Sequence, residues 1–351
     1  MDLKETEKSI EEGSSEQTFS VDRKWACILR WCGLGLVGSL VFGCLFYFWG
    51  MIFYSGPFSQ GGWGNGLLGL CWLGAMVVVF FRVQRWRLRA ILWLSGLLMV
   101  LAPYLMIYPA NDKEWEPEFA RTGYAAVEGD VVTLYHVRNF EHRGKDDFVE
   151  RWESRTFHLS KLRGLDYFQS NFYGDMLAHP ILSFDFGDQG RICLSVETRR
   201  EVGEKFTPFG GLYKMFELQY LFVTEEDCIP LRTQIRKEIV RRYVVQGDLE
   251  KIREMFLTSV RVQNQLLNEP RFYNVLRSNC TTSLRAQRPR SDRMPWDLRL
   301  LLNGRLDAFL YEQGVILTND LPFEQLREQA MINAAVSEAV GKESFSQKIR
   351  E

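Results

Sequence analysis

His179-Pro-Ile-Leu-Ser-Phe-Asp-Phe186 and Arg191-Ile-Cys-Leu-Ser-Val-Glu197 are two short runs joined by Gly187-Asp188-Gln189-Gly190. Both alternate: Leu182, Phe184 and Phe186 fall on one face of the first, Ile192, Leu194 and Val196 on one face of the second. Alternation with a Gly-rich turn reads as a β-hairpin over Leu182–Phe186 and Ile192–Val196. Opposed residues of an antiparallel pair share a face. Matching apolar with apolar therefore places Phe184 opposite Ile192 and Leu182 opposite Leu194. A one-residue slip would set core side chains against solvent ones along the whole hairpin. In the matching register Ser183 faces Cys193, and His179 faces Glu197. Pro180 lacks a ladder donor and marks an edge strand or a strand start.

A carboxylate beside an imidazole fixes its tautomer and stabilises its charged form. Two readings follow from the hairpin alone: a base with its orienting acid, or a His–Glu pair at a sheet end that contributes little. His136 competes as the base, but its strand offers no carboxylate at a matching position, and His142 and His158 lie in charged stretches read as exposed.

Further along, Arg277-Ser-Asn-Cys-Thr-Thr282 places one cysteine where a loop turns into a helix. Ser278 and Asn279 are good N-cap residues, and free N–H groups there favour a thiolate. Either Cys280 fills a helix start or it is a nucleophile. With the hairpin it completes a thiol, base and orienter set in the chain order His, Glu, Cys, the reverse of papain-like enzymes; such sets are defined by geometry and not by order.

The rest of the chain supplies the setting. Its 351 residues carry a net charge of −1, which excludes a strongly basic nucleic-acid-binding domain. Residues 1–24 are charged and rich in Ser and Glu, and read as a disordered cytoplasmic tail. Residues 25–108 hold three apolar runs read as membrane spans: Trp31–Tyr54, long enough to cross the hydrocarbon core, Leu67–Phe81, extending back toward Trp63, and Ala90–Tyr108. Gly35, Ser39 and Gly43 form a small-residue seam that would let another helix approach closely. Arg82, Arg85, Arg87 and Arg89 crowd the loop between the second and third runs, so the positive-inside rule puts the N-terminus in the cytoplasm and residues 109–351 outside it.

That last region mixes strand patterns (Val131–Val137, Glu217–Thr224, Ile239–Val245) with helical ones (Asp248–Leu267, Leu298–Tyr311, Phe323–Val340). Without regular βαβ alternation the class is α+β. Of the seven cysteines only Cys193, Cys228 and Cys280 fall here, with no CxxC spacing. A Cys193–Cys228 bridge is left open. The four histidines show no metal-ligand spacing, so neither a metal nor another cofactor is expected.

Several separated strings resemble the Lnb N-terminal periplasmic domain family. They are Val137-Arg-Asn-Phe140, Leu177-Ala-His-Pro-Ile-Leu-Ser-Phe-Asp-Phe-Gly187, Leu194-Ser-Val-Glu-Thr-Arg-Arg-Glu201, Phe216-Glu-Leu-Gln-Tyr220, and Phe272-Tyr-Asn274 leading into Asn279-Cys-Thr-Thr282. The resemblance implies a permuted papain-like (NlpC-type) antiparallel sheet with packed helices. It further implies a lipoprotein N-acyltransferase relative in the bacterial cytoplasmic (inner) membrane, its C-terminal domain periplasmic. Membrane phospholipid would be the acyl donor, and a lipoprotein or an envelope peptide the acceptor. Cys280 would take the acyl group, His179 act as base and then acid, and Glu197 orient it; the Cys280 N–H, with Asn279, would support the oxyanion. Arg199 and Arg200 would meet lipid phosphates or form an exposed charge run. Acyltransferases of the family carry their spans after the domain, whereas here three precede it. A cysteine amidase or peptidase on peptidoglycan or envelope peptides, and a non-catalytic envelope scaffold, are the alternatives.

Overall fold

A computed structural model of the chain describes residues 30–33 and 35–351. The tail read at residues 1–24 lies outside these. The chain divides into two units, 1–106 and 107–351.

In the first unit three helices are long and apolar enough to cross a membrane: α1 (Arg30–Ser55), α2 (Trp63–Arg82) and α3 (Trp86–Leu105). Most of their apolar side chains are exposed, among them Leu40, Phe42, Phe81 and Leu94. Water would penalise such a surface and lipid tails would not. The turn between α1 and α2 is tied by buried Asn65, whose amide donates to the carbonyls of Phe53, Phe58 and Ser59 and accepts from Phe58 N–H. Among the described residues, a Cβ at Gly35 or Gly43 of the seam would find no atom within 4 Å. Close approach falls instead at Gly69 against Trp49 and at Gly96 against Met76.

The second unit is built on an eight-stranded sheet. Its strands are β1 (Tyr124–Glu128), β2 (Val131–Arg138), β5 (Trp152–His158), β6 (Gly164–Tyr173), β7 (Leu177–Asp185), β8 (Arg191–Arg199), β9 (Glu217–Val223) and β10 (Ile239–Val244), while β3 (Glu141–His142) and β4 (Phe148–Val149) form a separate hairpin. The order is β1-β2-β9-β8-β7-β6-β10, with β5 also on β2. Pairing is antiparallel except for one parallel contact, Arg138 with Val223, which makes the sheet mixed. The β7–β8 register is the expected one: Leu182 opposes Leu194 and Phe184 opposes Ile192.

Both faces of the sheet are covered. On one, Leu182, Phe184, Leu194 and Phe222 pack under Ile252, Phe256 and Val260 of α5 (Leu249–Asn268). The other face was read as solvent-facing, yet Ile181, Cys193, Leu221 and Val223 are buried there. They lie beneath α4 (Glu225–Pro230), α9 (Asn333–Ala339) and α10 (Phe345–Lys348). Pro180 is not on an edge strand either. β7 lies between β6 and β8, and its ladder to β8 begins at Ile181, so the missing N–H falls where the two strands have parted.

Two helices expected as continuous are broken. Residues 298–311 form short 3-10 turns and then α7 (Leu306–Glu312), because Gly304 is pressed against the Asp175 carbonyl; a Cβ would come within 2.3 Å of it. Residues 323–340 divide into α8 (Phe323–Gln329) and α9. The chain between them hydrogen-bonds the β10 edge, through Arg242 N–H to Ala330 O and Ile332 N–H to Val240 O.

Candidate functional site

His179 projects from β7 beside the end of β8. Its Nε2 is 2.6 Å from Ser195 Oγ and 3.3 Å from Glu197 Oε1. Ser195 Oγ in turn donates to Glu197 at 2.6 Å. Behind the carboxylate lies Arg232, delivered by a π-turn over Leu231–Ile235 that follows α4. Its Nη2 donates to Glu197 Oε1 at 3.0 Å and its Nη1 to Cys228 O at 3.2 Å. Glu197 thus lies between one imidazole and one buried guanidinium.

These contacts set the charges. Burial alone would push His179 down, but the Glu197 charge opposes it, Arg232 counteracts only part of that, and hydrogen bonds to Cys280 and Glu197 add to the rise. The net result is a pKa of about 9. Burial pushes Glu197 up, and the His179 and Arg232 contacts with the Ser195 bond overcome it, holding the carboxyl well below its ordinary range.

Cys280 is the first residue of α6 (Cys280–Ala286). Asn279 caps that helix: its Oδ1 accepts from Thr282 N–H at 2.7 Å, and Thr282 Oγ1 accepts from Asn279 N–H at 2.9 Å. The Asn279 amide donates to the carbonyls of Val275 and Leu300. Its side chain fixes the helix start and is committed there.

The amide beside the sulfur belongs to Asn303. Its Nδ2 is 3.5 Å from Cys280 Sγ and 3.1 Å from Thr281 Oγ1, while its Oδ1 accepts from Ala178 N–H at 2.8 Å. One residue therefore ties the cysteine helix to the strand position preceding His179. With Nε2 taken by Ser195 and Glu197, Nδ1 is the ring nitrogen left for the thiol. Tyr273 completes the surround, bonded through its hydroxyl to the backbone and side chain of Cys280. Burial and the adjacent cysteine keep that hydroxyl protonated.

A cleft of about 950 Å³ opens over these groups, lined among others by His179, Glu197, Arg232, Tyr273, Cys280 and Asn303. On its wall Glu204 is lifted to about 7, chiefly by burial.

His179, Glu197 and Cys280 therefore meet, and Asn279 supports them from the helix cap. The other histidines do not join them. His136 Nδ1 is 2.9 Å from Thr122 O, and His158 pairs with Gln189. His142 is not exposed: its ring is buried against Asp227, which also accepts from Nε and Nη2 of Arg138. Arg199 is buried as well. It donates to the carbonyls of Phe119 and Ala120 and stacks on Trp115, while Arg200 pairs with Glu116. Cys193 and Cys228 are free, buried and hydrogen-bonded to each other. Among the described residues no three His, Cys, Asp or Glu side chains are grouped to hold a metal ion.

Sequence reading missed Ser195, Arg232, Tyr273 and Asn303. Ser195 was accessible, being two residues from Glu197 on the same face of β8. Tyr273 lies in Phe272-Tyr-Asn274, where nothing in the local pattern assigns it a role. Nothing local marked Arg232 or Asn303.

Fold and cleft together define a membrane protein whose α+β domain brings a cysteine, a histidine and a carboxylate into one cavity. Residues 148–304 match the family model described as the Lnb N-terminal periplasmic domain, so the chain carries a domain of that family and is a membrane-associated envelope protein with a periplasmic domain. The matched span contains His179, Glu197, Arg232, Tyr273, Cys280 and Asn303. No curated protein and no solved structure matches the chain.

Proposed function

We propose that the chain is a membrane-anchored thiol acyltransferase or hydrolase of the bacterial envelope, with a permuted papain-like (NlpC-type) catalytic domain over residues 109–351. The observation that carries this reading is the meeting of His179, held by Glu197 and Arg232, with Cys280 in one cleft. The permutation is supported by chain order, since the histidine and acid strands precede the cysteine helix.

In the first half-reaction Cys280 Sγ attacks an acyl carbonyl and its proton passes to His179. The tetrahedral adduct collapses with cleavage of the ester C–O bond, and His179 returns the proton to the departing alkoxide. The raised pKa of His179 suits it to this acid step and leaves only its neutral fraction to act as base toward the thiol. The resulting thioester is attacked by an amine, giving an amide, or by water, giving a carboxylic acid. That nucleophile's proton leaves through His179, and the thiol is restored. Asn303 Nδ2, 3.5 Å from the sulfur, is a donor available to the developing oxyanion.

Three spans ahead of the domain favour phospholipid as acyl donor, with a lipoprotein amine or an envelope peptide as acceptor. The arginine-rich loop between α2 and α3 supports the cytoplasmic membrane with the N-terminus inside. The test compares Cys280→Ala with the unaltered protein in cells at matched abundance, following both acylated lipoprotein and cleaved envelope peptide. Loss of acylation is expected. Full function in the variant would contradict the thiol role, and loss of peptide cleavage with acylation intact would favour an amidase.

A further inference from the structure

Segments that line the cleft on their inner side turn apolar side chains outward. Phe172 and Leu177 face the cavity, while Tyr173 and Met176 between them are exposed. The lining stretch around Lys205 is flanked by exposed Val202 and Phe209, and lining Val275 and Leu301 are followed by exposed Leu276 and Leu302. These six rim side chains are between 47 % and 67 % exposed.

The wider distribution points the same way. The most exposed large apolar side chains described in this domain are Tyr108 (76 %), Tyr173 and Leu298 (67 %), Val202 and Phe209 (64 %), Trp296 (62 %) and Met176 (59 %). Four are on the rim, two lie in the approach to Leu301, and Tyr108 is where the chain enters. Soluble surfaces do not gather such side chains around one opening without an occupant.

Chain connectivity says which occupant. α3 ends at Leu105 and the domain begins at Ile107, so no linker separates a membrane span from it. Ile107 O accepts from Lys214 Nζ at 2.9 Å, and Ala110 N–H donates to Glu217. Val202 N–H donates to Glu114 O, and Glu116 N–H to Arg200 O. The entry segment is thus paired with both ends of the loop that carries Val202 and Phe209. Exposed Lys205 and Arg277 adjoin Phe206 and Leu276. Aromatic and aliphatic tips with flanking cations are the composition that the headgroup region of an anionic bilayer accepts.

We propose that the cleft rim, formed by Tyr173, Met176, Val202, Phe209, Leu276 and Leu302, inserts into the interface of the bilayer that this chain spans, so that the cavity opens onto lipid. This deepens the acyl-transfer reading and rests on it for its purpose, but the contact can be tested without any reaction.

The full chain, reconstituted in vesicles of phosphatidylethanolamine and phosphatidylglycerol, would carry photoreactive p-benzoylphenylalanine in place of Tyr173, Phe209, Val127 or Leu249, one at a time. Val127 and Leu249 are exposed apolar positions away from the cleft lining. Illumination should give lipid adducts at Tyr173 and Phe209 at least several-fold above those at Val127 and Leu249, unchanged by Cys280→Ala. Equal yields at all four positions, or adducts to protein instead of lipid at the rim, would overturn the proposal. Rim adducts together with a dispensable Cys280 would leave the lipid contact standing and remove the catalytic reading.

Discussion

Asn303 donates its amide to Cys280 Sγ across 3.5 Å while holding Ala178 N–H with its carbonyl, so one side chain ties the cysteine helix to the histidine strand. An N–H aimed at sulfur stabilises negative charge that gathers there as it reacts. Asn303→Asp replaces that donor with a like charge. It should slow alkylation of Cys280 by iodoacetamide at neutral pH roughly tenfold or more, the size expected for loss of about 1.5–3 kcal/mol of charged hydrogen bonding. Peptide-resolved mass spectrometry reads the rate. An unchanged rate in a folded variant would remove Asn303 from the site.

Arg232 and Glu197 form a buried ion pair that the His179 contact alone does not replace. Arg232→Met leaves the carboxylate short of a cation in a desolvated position and should destabilise the domain by roughly 3–5 kcal/mol. Adding Glu197→Gln removes the stranded charge, so the double variant should lose less than the two single losses summed. Urea unfolding of the detergent-solubilised protein measures all three, and simple additivity would show that the pair is not coupled.

The same cluster predicts a pH dependence of stability. His179 is raised from 6.5 to about 9, so its contribution is full below pH 6.5 and is lost as pH rises through 9. Glu197 is depressed, so its contribution is present above its ordinary 4.5 and is lost only as pH falls through its lower folded value. Melting temperature should therefore fall between pH 6.5 and 9, and Glu197→Gln should flatten that fall. A variant that keeps the full alkaline drop would show that another group causes it.

Phe256 of α5 meets the rings of Phe184 and Phe186 at 5.1 Å each and that of Phe222 at 5.7 Å. It joins the helix layer to β9 and to β7 with the turn that follows it, the first arm of the hairpin that carries His179 and Glu197. Phe256→Ala should cost about 3–5 kcal/mol in the same unfolding experiment. A loss under about 1 kcal/mol, typical of surface changes, would contradict its place in the core.

What the sequence disclosed follows from where its pattern is apolar. The hairpin register was legible because Leu182, Phe184, Ile192 and Leu194 can be buried together in only one alignment, and that alignment carried His179 to Glu197. β6 was missed because its buried positions include Asp166, Gln169, Ser170 and Asn171, a polar core that periodicity cannot register. Gln169 is satisfied through Gly304 O and Asp307 N–H, partners distant in sequence. The break at Gly304 and the placing of Asn303 have the same origin, since both depend on the β6–β7 turn. Arg232 was hidden for a related reason: its partner Glu197 lies on another element, and its own helix offers no carboxylate in register.

In the proposed reaction the acyl group passes through a bond to the Cys280 sulfur. Incubating the reconstituted full chain with acyl-labelled phospholipid, quenching in acid and measuring the mass of the Cys280 peptide tests it most directly. An acyl adduct is expected on Cys280 that hydroxylamine removes, that is absent in Cys280→Ser, and that accumulates more slowly in Glu197→Gln. A Cys280 peptide that stays unmodified while the unaltered protein still turns over the lipid would contradict it.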